Sequence, residues 1–336
     1  MGKLTNEQLS HFEEFGFLKV ENLIDPEKII DPIIEEYHGV LSNLADELYA
    51  EGKISSKYED LPFGERITKI YSDSGENYNQ FFDFSLPQTG IKEDTPFWTG
   101  PAIFNALMHE SLLDAVESII GKEIYSNPIQ HVRIKVPDKH APRDENGMIK
   151  FGTTPWHQDA GVATKDVDNT DMLTVWFPLM DANEENGCLQ VVPGSHVGKV
   201  LTHCPGFNPK TGKKESILNG GFGLSIPTTE FEDQNAMAVP MKKGDALFLT
   251  KKTVHSALPN ISDAIRWSFD LRYQPIGQPT GRDIFPGFVA RSLENPDQII
   301  KDAETWDDLW HSTRDKLSKE EQFAFNRWDG DDIACA

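Results

Sequence analysis

Two imidazoles and one carboxylate are the residues of this chain whose types and spacing point most directly to chemistry. His157 and Asp159 stand two positions apart in Pro155-Trp-His-Gln-Asp-Ala-Gly161. On an extended segment, side chains i and i+2 project to the same face, so this pair can reach one ion together. Far downstream, His255 follows the run Gly244-Asp-Ala-Leu-Phe-Leu-Thr250, which reads as a buried strand approaching the same point. Two histidines and one carboxylate make the facial set that holds non-haem Fe(II) and leaves the opposite coordination positions open. The bare His-x-Asp pair arises often by chance as a surface or core-satisfying pair. The same three groups also suit a hydrolytic zinc centre, which would need a further carboxylate or histidine as general base. A non-catalytic binding module is the third alternative.

Arg266 narrows these choices. It lies eleven residues after His255 and opens an alternating segment, with Arg266, Ser268, Asp270 and Arg272 on one face and Trp267, Phe269, Leu271 and Tyr273 on the other. Such a strand packs one side and turns its polar side inward. A guanidinium fork matches a carboxylate through two parallel hydrogen bonds, and Ser268 can add a third. The plainer role for Arg266 is an ion pair with Asp270. A second alternating stretch, Gln130 to Pro137, sets His131, Arg133 and Lys135 on one face and Gln130, Val132, Ile134 and Val136 on the other. Gln130 is then a lone amide on an apolar face and needs a partner.

The set His157-Gln-Asp159, Asn186-Gly-Cys-Leu-Gln-Val-Val-Pro-Gly-Ser-His196, His255 and Arg266 resembles the phytanoyl-CoA dioxygenase family of Fe(II)- and 2-oxoglutarate-dependent oxygenases. The likeness is strong from about Ser126 to Tyr273 and looser in the helical region before it. It implies an α+β fold with a mainly β core, a double-stranded β-helix (jelly roll, cupin-like) flanked by N- and C-terminal helices. It implies His157, Asp159 and His255 as iron ligands and Arg266 on the distal carboxylate of 2-oxoglutarate. Gln130 and Trp176 fall where the family borders the cosubstrate; a core hydrogen bond and a core tryptophan are the respective alternatives. Three protein ligands leave two positions for the 2-oxo acid and one for O2. The implied reaction hydroxylates a small organic substrate and releases succinate and CO2. Halogenases of this general class replace the carboxylate with a small residue to admit chloride, so Asp159 favours hydroxylation. Arg266 and the complete ligand set argue against the zinc hydrolase and the binding module. Arg272 and Arg282, with Lys251 and Lys252, point toward an anionic substrate, although lysines in turns are commonly solvated.

The elements that must position these groups read as one domain over residues 1–336: a helical region (residues 1–122), a jelly-roll core (123–275) and a C-terminal extension (276–336). A chain of 336 residues with 38% hydrophobic residues can bury a sizeable core. Thr5 caps a first helix that Gly16 stops, followed by a strand at Phe17–Val20. Asp25-Pro26 opens a second helix to about Glu51, with Ile29, Ile33, Ile34, Tyr37, Leu41 and Leu44 as its packing stripe. Ser55 to Pro87 reads as a polar and aromatic segment folding over the mouth of the core, with Lys69 either solvated or facing an anion. Pro101 to Ile120 reads as a third helix, stopped by Gly121. Asn186-Gly187 and Pro193-Gly194 mark turns. His131, His140 and His196 read as structural. Asp166 to Thr170 is a polar loop beside the histidine pair, and Thr202 to Phe231 a long Gly-rich excursion of functional or mobile type. Gln278 to Phe288 reads as irregular, and the remainder as helical and acidic.

The formal net charge of −22 argues against nucleic acid or an anionic membrane as partner and leaves a small molecule. The three cysteines, Cys188, Cys204 and Cys335, are odd in number and lack metal-type spacing, which predicts a reducing compartment and no disulfide framework. With no export signal or membrane-length apolar run, the expectation is a soluble, cytoplasmic protein. Nothing in the sequence specifies an oligomeric state.

Overall fold

Local capping chemistry starts the fold. In the computed structural model, which describes residues 2–145, 147, 149–150, 153–205, 207–208, 213–214, 224–322, 327–328 and 333–335, helix α1 (Asn6–Phe15) begins in a reciprocal capping box. The Thr5 hydroxyl accepts from the Gln8 amide, and the Gln8 side chain accepts from the Thr5 amide. Gly16, at φ +76°, ends the helix in the left-handed region and releases strand β1 (Phe17–Val20). Asp25 then accepts from the Glu27 and Lys28 amides, and a wide turn over Pro26–Ile30 runs into α2 (Asp31–Ala50). Ile33, Tyr37, Leu41 and Leu44 are buried along it, while Ile34 is only partly so.

Two expectations for the helical region are corrected. The segment from Ser55 to Pro87 contains α3 (Phe63–Ser74), where Phe63, Ile67, Ile70 and Tyr71 recur at helical spacing and are buried. Lys69, on its outer face, is exposed. Pro101 to Ile120 forms two helices, α4 (Pro101–Leu107) and α5 (Glu110–Ile120). Met108 leaves helical geometry, His109 turns extended, and its Nδ1 pairs with the Ser111 hydroxyl at 2.7 Å. Among the described residues, five α-helices rather than three therefore precede the sheets.

Eleven further strands follow: β2 (Ile124–Ser126), β3 (His131–Lys135), β4 (Leu173–Pro178), β5 (Leu189–Val191), β6 (Phe207–Asn208), β7 (Lys213–Lys214), β8 (Met237–Val239), β9 (Ala246–Thr250), β10 (His255–Ala257), β11 (Arg266–Pro275) and β12 (Phe288–Arg291). The larger, seven-stranded sheet runs β1-β9-β4-β11-β2-β12, with β3 also paired to β11. The smaller runs β10-β5-β8, and β6 and β7 pair with each other. The named strand pairs are all antiparallel. β12 falls where the chain beyond Tyr273 reads as irregular, then helical.

Strand β11 is the spine of the larger sheet, and its alternation decides what faces what. Trp267 stacks on Phe63 at 4.3 Å between ring centroids, Phe269 meets Phe84 and Phe177, and the Tyr273 hydroxyl donates to the Leu107 carbonyl at 2.9 Å. That side seals against the helices. Arg266, Asp270 and Arg272 on the other side line a cavity. Beyond β12, α6 (Ala303–Leu317) packs Trp306 and Trp310 into the same helical layer.

The tail after α6 returns to the loop that follows His157. Trp328 Nε1 donates to the Gly161 carbonyl at 2.7 Å, and Arg327 pairs with Asp168 through two contacts of 2.8 Å. Cys335 is disulfide-bonded to Cys204, which corrects the expectation of unpaired cysteines. The pairing depends on where the fold carries the tail, 131 residues on, and spacing cannot report it. The cysteine argument for a reducing compartment falls with it. No helix among the described residues is long and apolar enough to cross a membrane. Gly206, Pro209, Gly212, Gly220, Gly221 and Gly223 of the Gly-rich stretch lie outside the described residues.

Denatured without reductant, the chain should present one reactive thiol, Cys188, and three after reduction. Three thiols from protein kept unreduced throughout would show that the pair does not form.

Candidate active site

Backbone pairing sets the two histidines side by side. The His157 amide donates to the His255 carbonyl and the His255 amide to the His157 carbonyl, each at 3.0 Å, so the loop carrying His157 joins the smaller sheet beside β10. The imidazole centroids lie 4.1 Å apart. Asp159 opens a short 3-10 turn over Asp159–Val162, and its carboxylate returns toward the rings, Oδ1 3.9 Å from His157 Nε2. One ligand atom from each of His157, Asp159 and His255 lies within 4.8 Å of the others, and all three residues are buried.

Hydrogen bonds fix the tautomers. His157 Nδ1 meets the Pro155 carbonyl and His255 Nδ1 the Thr253 carbonyl, both at 2.9 Å. A carbonyl only accepts, so each Nδ1 carries the proton and each Nε2 keeps its lone pair for an ion. Burial, and next the neighbouring His255 ring, hold His157 well below the usual imidazole range. Burial alone would raise the Asp159 carboxyl, but Arg272, His255, His157 and the Thr174 hydroxyl together hold it below the usual carboxylate range. Two neutral imidazole nitrogens and one ionised carboxylate on a common face fit a divalent cation.

Arg272 takes a role that differs from the expected one. It is buried, ion-paired to Asp159 Oδ1, 3.4 Å from Asp270, and bonded through Nη1 to the Ile129 carbonyl at 2.9 Å. The Thr174 hydroxyl donates to Asp159 Oδ2. Arg272 and Thr174 face each other across β11 and β4, so the sheet itself aims the carboxylate. Lys251 and Lys252 are likewise structural. Lys251 Nζ donates to the Val167, Asp168 and Thr170 carbonyls, and Lys252 Nζ to that of Gly198.

At the start of β11, Arg266 is 3% exposed and, among the described residues, bonded only to neutral acceptors. Its Nε donates to the Gly187 carbonyl at 3.1 Å and its Nη1 to the Ser268 hydroxyl at 2.6 Å. The guanidinium lies 5.8 Å from the Trp176 ring. Gly187, at φ +91°, allows its turn to present that carbonyl. Among the described residues no carboxylate is within ion-pair distance of Arg266, and the Asp270 pairing is absent. Burial, followed by Arg133, lowers its pKa to about 10. Ser268 thus holds Arg266 in place and is not itself at the cavity wall. Gln130 also lies away from that wall, donating to Ser126 Oγ at 2.7 Å and to the Asn127 carbonyl. Arg133, on the opposite face of β3, lines the cavity instead.

Lys135 is the member of this region that sequence reasoning missed. It pairs across β3 and β11 with Arg266, donates to the Leu258 carbonyl at 2.7 Å and the Thr153 hydroxyl at 2.9 Å, and is buried. Burial, and next Arg266, push it down to about 7. A second missed residue is His203. Its Nε2 accepts from the Gln158 amide at 2.9 Å and its Nδ1 donates to the Leu201 carbonyl at 2.8 Å, which braces the turn between His157 and Asp159. Both of its nitrogens are engaged and Asp270 is tied to Arg272, so neither is free to serve as a hydrolytic general base.

The cavity between the sheets measures about 690 Å³ and is lined by His157, His255, Trp176, Arg266 and the segment 77–90. Its placement invites comparison with known proteins. The sequence profile of the family described as "Phytanoyl-CoA dioxygenase (PhyH)" matches residues 12–268. The chain belongs to the phytanoyl-CoA dioxygenase family. It is therefore a non-haem iron enzyme dependent on 2-oxoglutarate. It is 24% identical over 275 residues to phytanoyl-CoA dioxygenase domain-containing protein 1 of Danio rerio, covering 79% of this chain and 88% of that protein. It is 28% identical over 185 residues to 1-deoxypentalenic acid 11-beta-hydroxylase of Streptomyces arenae, covering 52% of this chain and 57% of the other. The solved structure of ThoJ, a non-heme monooxygenase, shares the fold at a TM-score of 0.52 and 14% identity, covering 92% of this chain and 97% of that one.

Removing one partner of a buried ion pair costs about 3–5 kcal/mol, because the remaining charge is left unanswered. Arg272→Met should lower the stability of the metal-free protein by about that amount in chemical denaturation, and Fe(II), which supplies the missing positive charge, should restore some of it. A variant as stable as wild type without metal would show that Asp159 does not depend on Arg272.

Proposed function

We propose that this phytanoyl-CoA dioxygenase family member hydroxylates a small organic substrate, with Fe(II) held by His157, Asp159 and His255 and 2-oxoglutarate anchored by Arg266. The observation that carries this reading is the buried, carboxylate-free Arg266 in the same cavity as the two imidazoles. A buried guanidinium without a counter-ion is costly, and a ligand carboxylate would remove the cost. The two antiparallel sheets facing this cavity are consistent with a double-stranded β-helix, and the chain is read as one oxygenase domain over residues 1–336, with its helical region at 1–122, its β core at 123–275 and its C-terminal extension at 276–336.

When bound, iron supplies the redox chemistry that couples 2-oxoglutarate decarboxylation, with release of succinate and CO2, to oxygen insertion at a C–H bond. The chain's own residues orient and exclude. Ser268 and the Gly187 carbonyl hold the Arg266 fork, so its remaining donors are aimed before the cosubstrate arrives. Trp176 supplies an apolar wall beside the guanidinium. Asp159 would supply a carboxylate ligand where a halogenase of this class keeps a small residue, which supports hydroxylation. Residues of the segment 77–90 form part of the cavity wall.

Replacing Arg266 by Ala removes a charge-assisted contact worth roughly 1.5–3 kcal/mol, so the affinity for 2-oxoglutarate should weaken roughly ten- to a hundredfold while Fe(II) binding survives. Unchanged 2-oxoglutarate affinity in a folded variant would sink the assignment.

Lys135 gives this site a pH dependence. A dianion bound by Arg266, the cross-strand neighbour of Lys135, raises the lysine's pKa above the free value of about 7, so the complex holds more protons than the free enzyme above that pH. The affinity for 2-oxoglutarate should therefore be fullest below about 7 and decline as pH rises through it. Lys135→Arg, charged throughout, should flatten the profile. A wild-type affinity independent of pH across this range would remove Lys135 from the site.

A further inference from the structure

The cavity holds more positive charge than the proposed reaction uses. Four arginines line it: Arg133, Arg266, Arg272 and Arg282. Arg272 is answered by Asp159, and Arg266 is assigned to the cosubstrate. Arg133 and Arg282 are left over.

Arg282 is 5% exposed, yet its side chain has no hydrogen-bond or ion-pair partner among the described residues, and its Nε is a buried donor without an acceptor. Burial, followed by the charges of Arg272 and Arg133, lowers its pKa to about 9. Asp83 is the carboxylate that favours it, but Asp83 is already engaged by His131 Nδ1 at 2.9 Å and the Val132 amide at 3.2 Å. Arg133, half-buried on β3, likewise has no ion pair among the described residues. A protein interior tolerates such groups where a ligand supplies the counter-charge.

Position separates Arg282 from the cosubstrate site. Arg266 opens β11 and Arg272 lies six residues further along, which at about 3.3 Å per residue sets their Cα atoms roughly 20 Å apart. Arg282 follows the turn after β11 and is coupled to Arg272, whereas Arg266 is absent from its electrostatic neighbours. Arg133 faces Ser268 across the ladder, between the two ends.

We propose that Arg282, with Arg133, forms a second anion-binding subsite that holds an oxyanion group, a carboxylate or phosphate monoester, of the primary substrate. The inference rests on the oxygenase reading of the same cavity and specifies the substrate's chemistry. An oxyanion fixed here would lie near Arg272, whose partner Asp159 stands with His157 and His255, and would hold the rest of the substrate beside that set, leaving Arg266 to 2-oxoglutarate. Guanidinium forks favour planar bidentate acceptors, so a carboxylate or phosphate is matched in shape as well as in charge.

The test uses the full chain loaded anaerobically with Fe(II) and 2-oxoglutarate, titrated with octanoate, octyl phosphate and the neutral methyl octanoate. At least one anion should bind wild type, and which one does identifies the headgroup. Arg282→Met should weaken that anion at least tenfold, leave 2-oxoglutarate affinity unchanged, and raise the unfolding midpoint of the unliganded protein, since an unpaired buried charge is removed. Arg282→Lys should retain some of the anion affinity. Arg266→Ala should do the reverse, losing 2-oxoglutarate while binding the anion in the presence of Fe(II) alone. Three results would overturn the subsite: neither anion binding wild type, the neutral ester binding as well as the anions, or Arg282→Met weakening 2-oxoglutarate as Arg266→Ala does. Loss of 2-oxoglutarate binding in wild type would instead overturn the oxygenase reading, and anion binding sensitive to Arg282 would still stand.

Discussion

A buried charge must be answered, and the answer given to Asp159 organises the catalytic end of this molecule. The carboxylate leaves the loop after His157 and is received by Arg272 on β11 and Thr174 on β4, two residues in cross-strand register. Those strands are fixed in turn by their opposite faces, where Trp267, Phe269 and Tyr273 are locked under the helices. The chain of dependence thus runs from apolar packing outside the sheet, through strand register, to the direction of one carboxylate inside it. A loop residue gains the precision of a sheet residue, which metal geometry demands.

The backbone does the corresponding work for the imidazoles. Reciprocal amide–carbonyl bonds between His157 and His255 set the rings adjacent, and carbonyls two residues upstream of each take the Nδ1 proton. Neither device needs a particular neighbouring side chain. This explains why the ligand positions are legible from residue type and spacing while their supports are not: the supports are main-chain atoms, which every sequence has.

What the sequence hides follows the same physics. The caps of α1 are local, so Thr5, Gln8 and Gly16 declare it. α3 is amphipathic over only 12 residues within a polar stretch, and its stripe of Phe63, Ile67, Ile70 and Tyr71 becomes visible once a partner layer is known. The break between α4 and α5 carries no proline or glycine at Met108 or His109. Arg272 and Arg266 stand on one face of one strand with the same chemistry, and alternation cannot tell which is neutralised, since that depends on the loop from Asp159. Cys204 and Cys335 are joined by a tail whose course is set by Arg327 and Trp328 gripping the 160–168 turn. Alternation along residues 130–135 puts Gln130 and Arg133 on opposite faces, but periodicity does not say which face looks inward; the cavity takes the arginine's.

That choice of face has an electrostatic consequence. The chain is strongly acidic, with a net charge of −22, yet one interior space collects guanidinium groups that surface carboxylates do not reach. Coulomb interactions are screened over about 10 Å at ordinary salt outside the protein and persist far more strongly in a buried, low-dielectric space. An acidic exterior therefore does not prevent anion capture once a ligand passes the mouth. The sheet spaces its cations along β11 and assigns each a different condition: Arg272 neutralised by the protein's own carboxylate, Arg266 held by neutral acceptors with no counter-ion among the described residues. A fully neutralised arginine would build structure without binding, and a wholly unsupported one would bind without direction. Holding Arg266 with a serine hydroxyl and a glycine carbonyl avoids both outcomes, because neutral acceptors orient the fork without cancelling its charge.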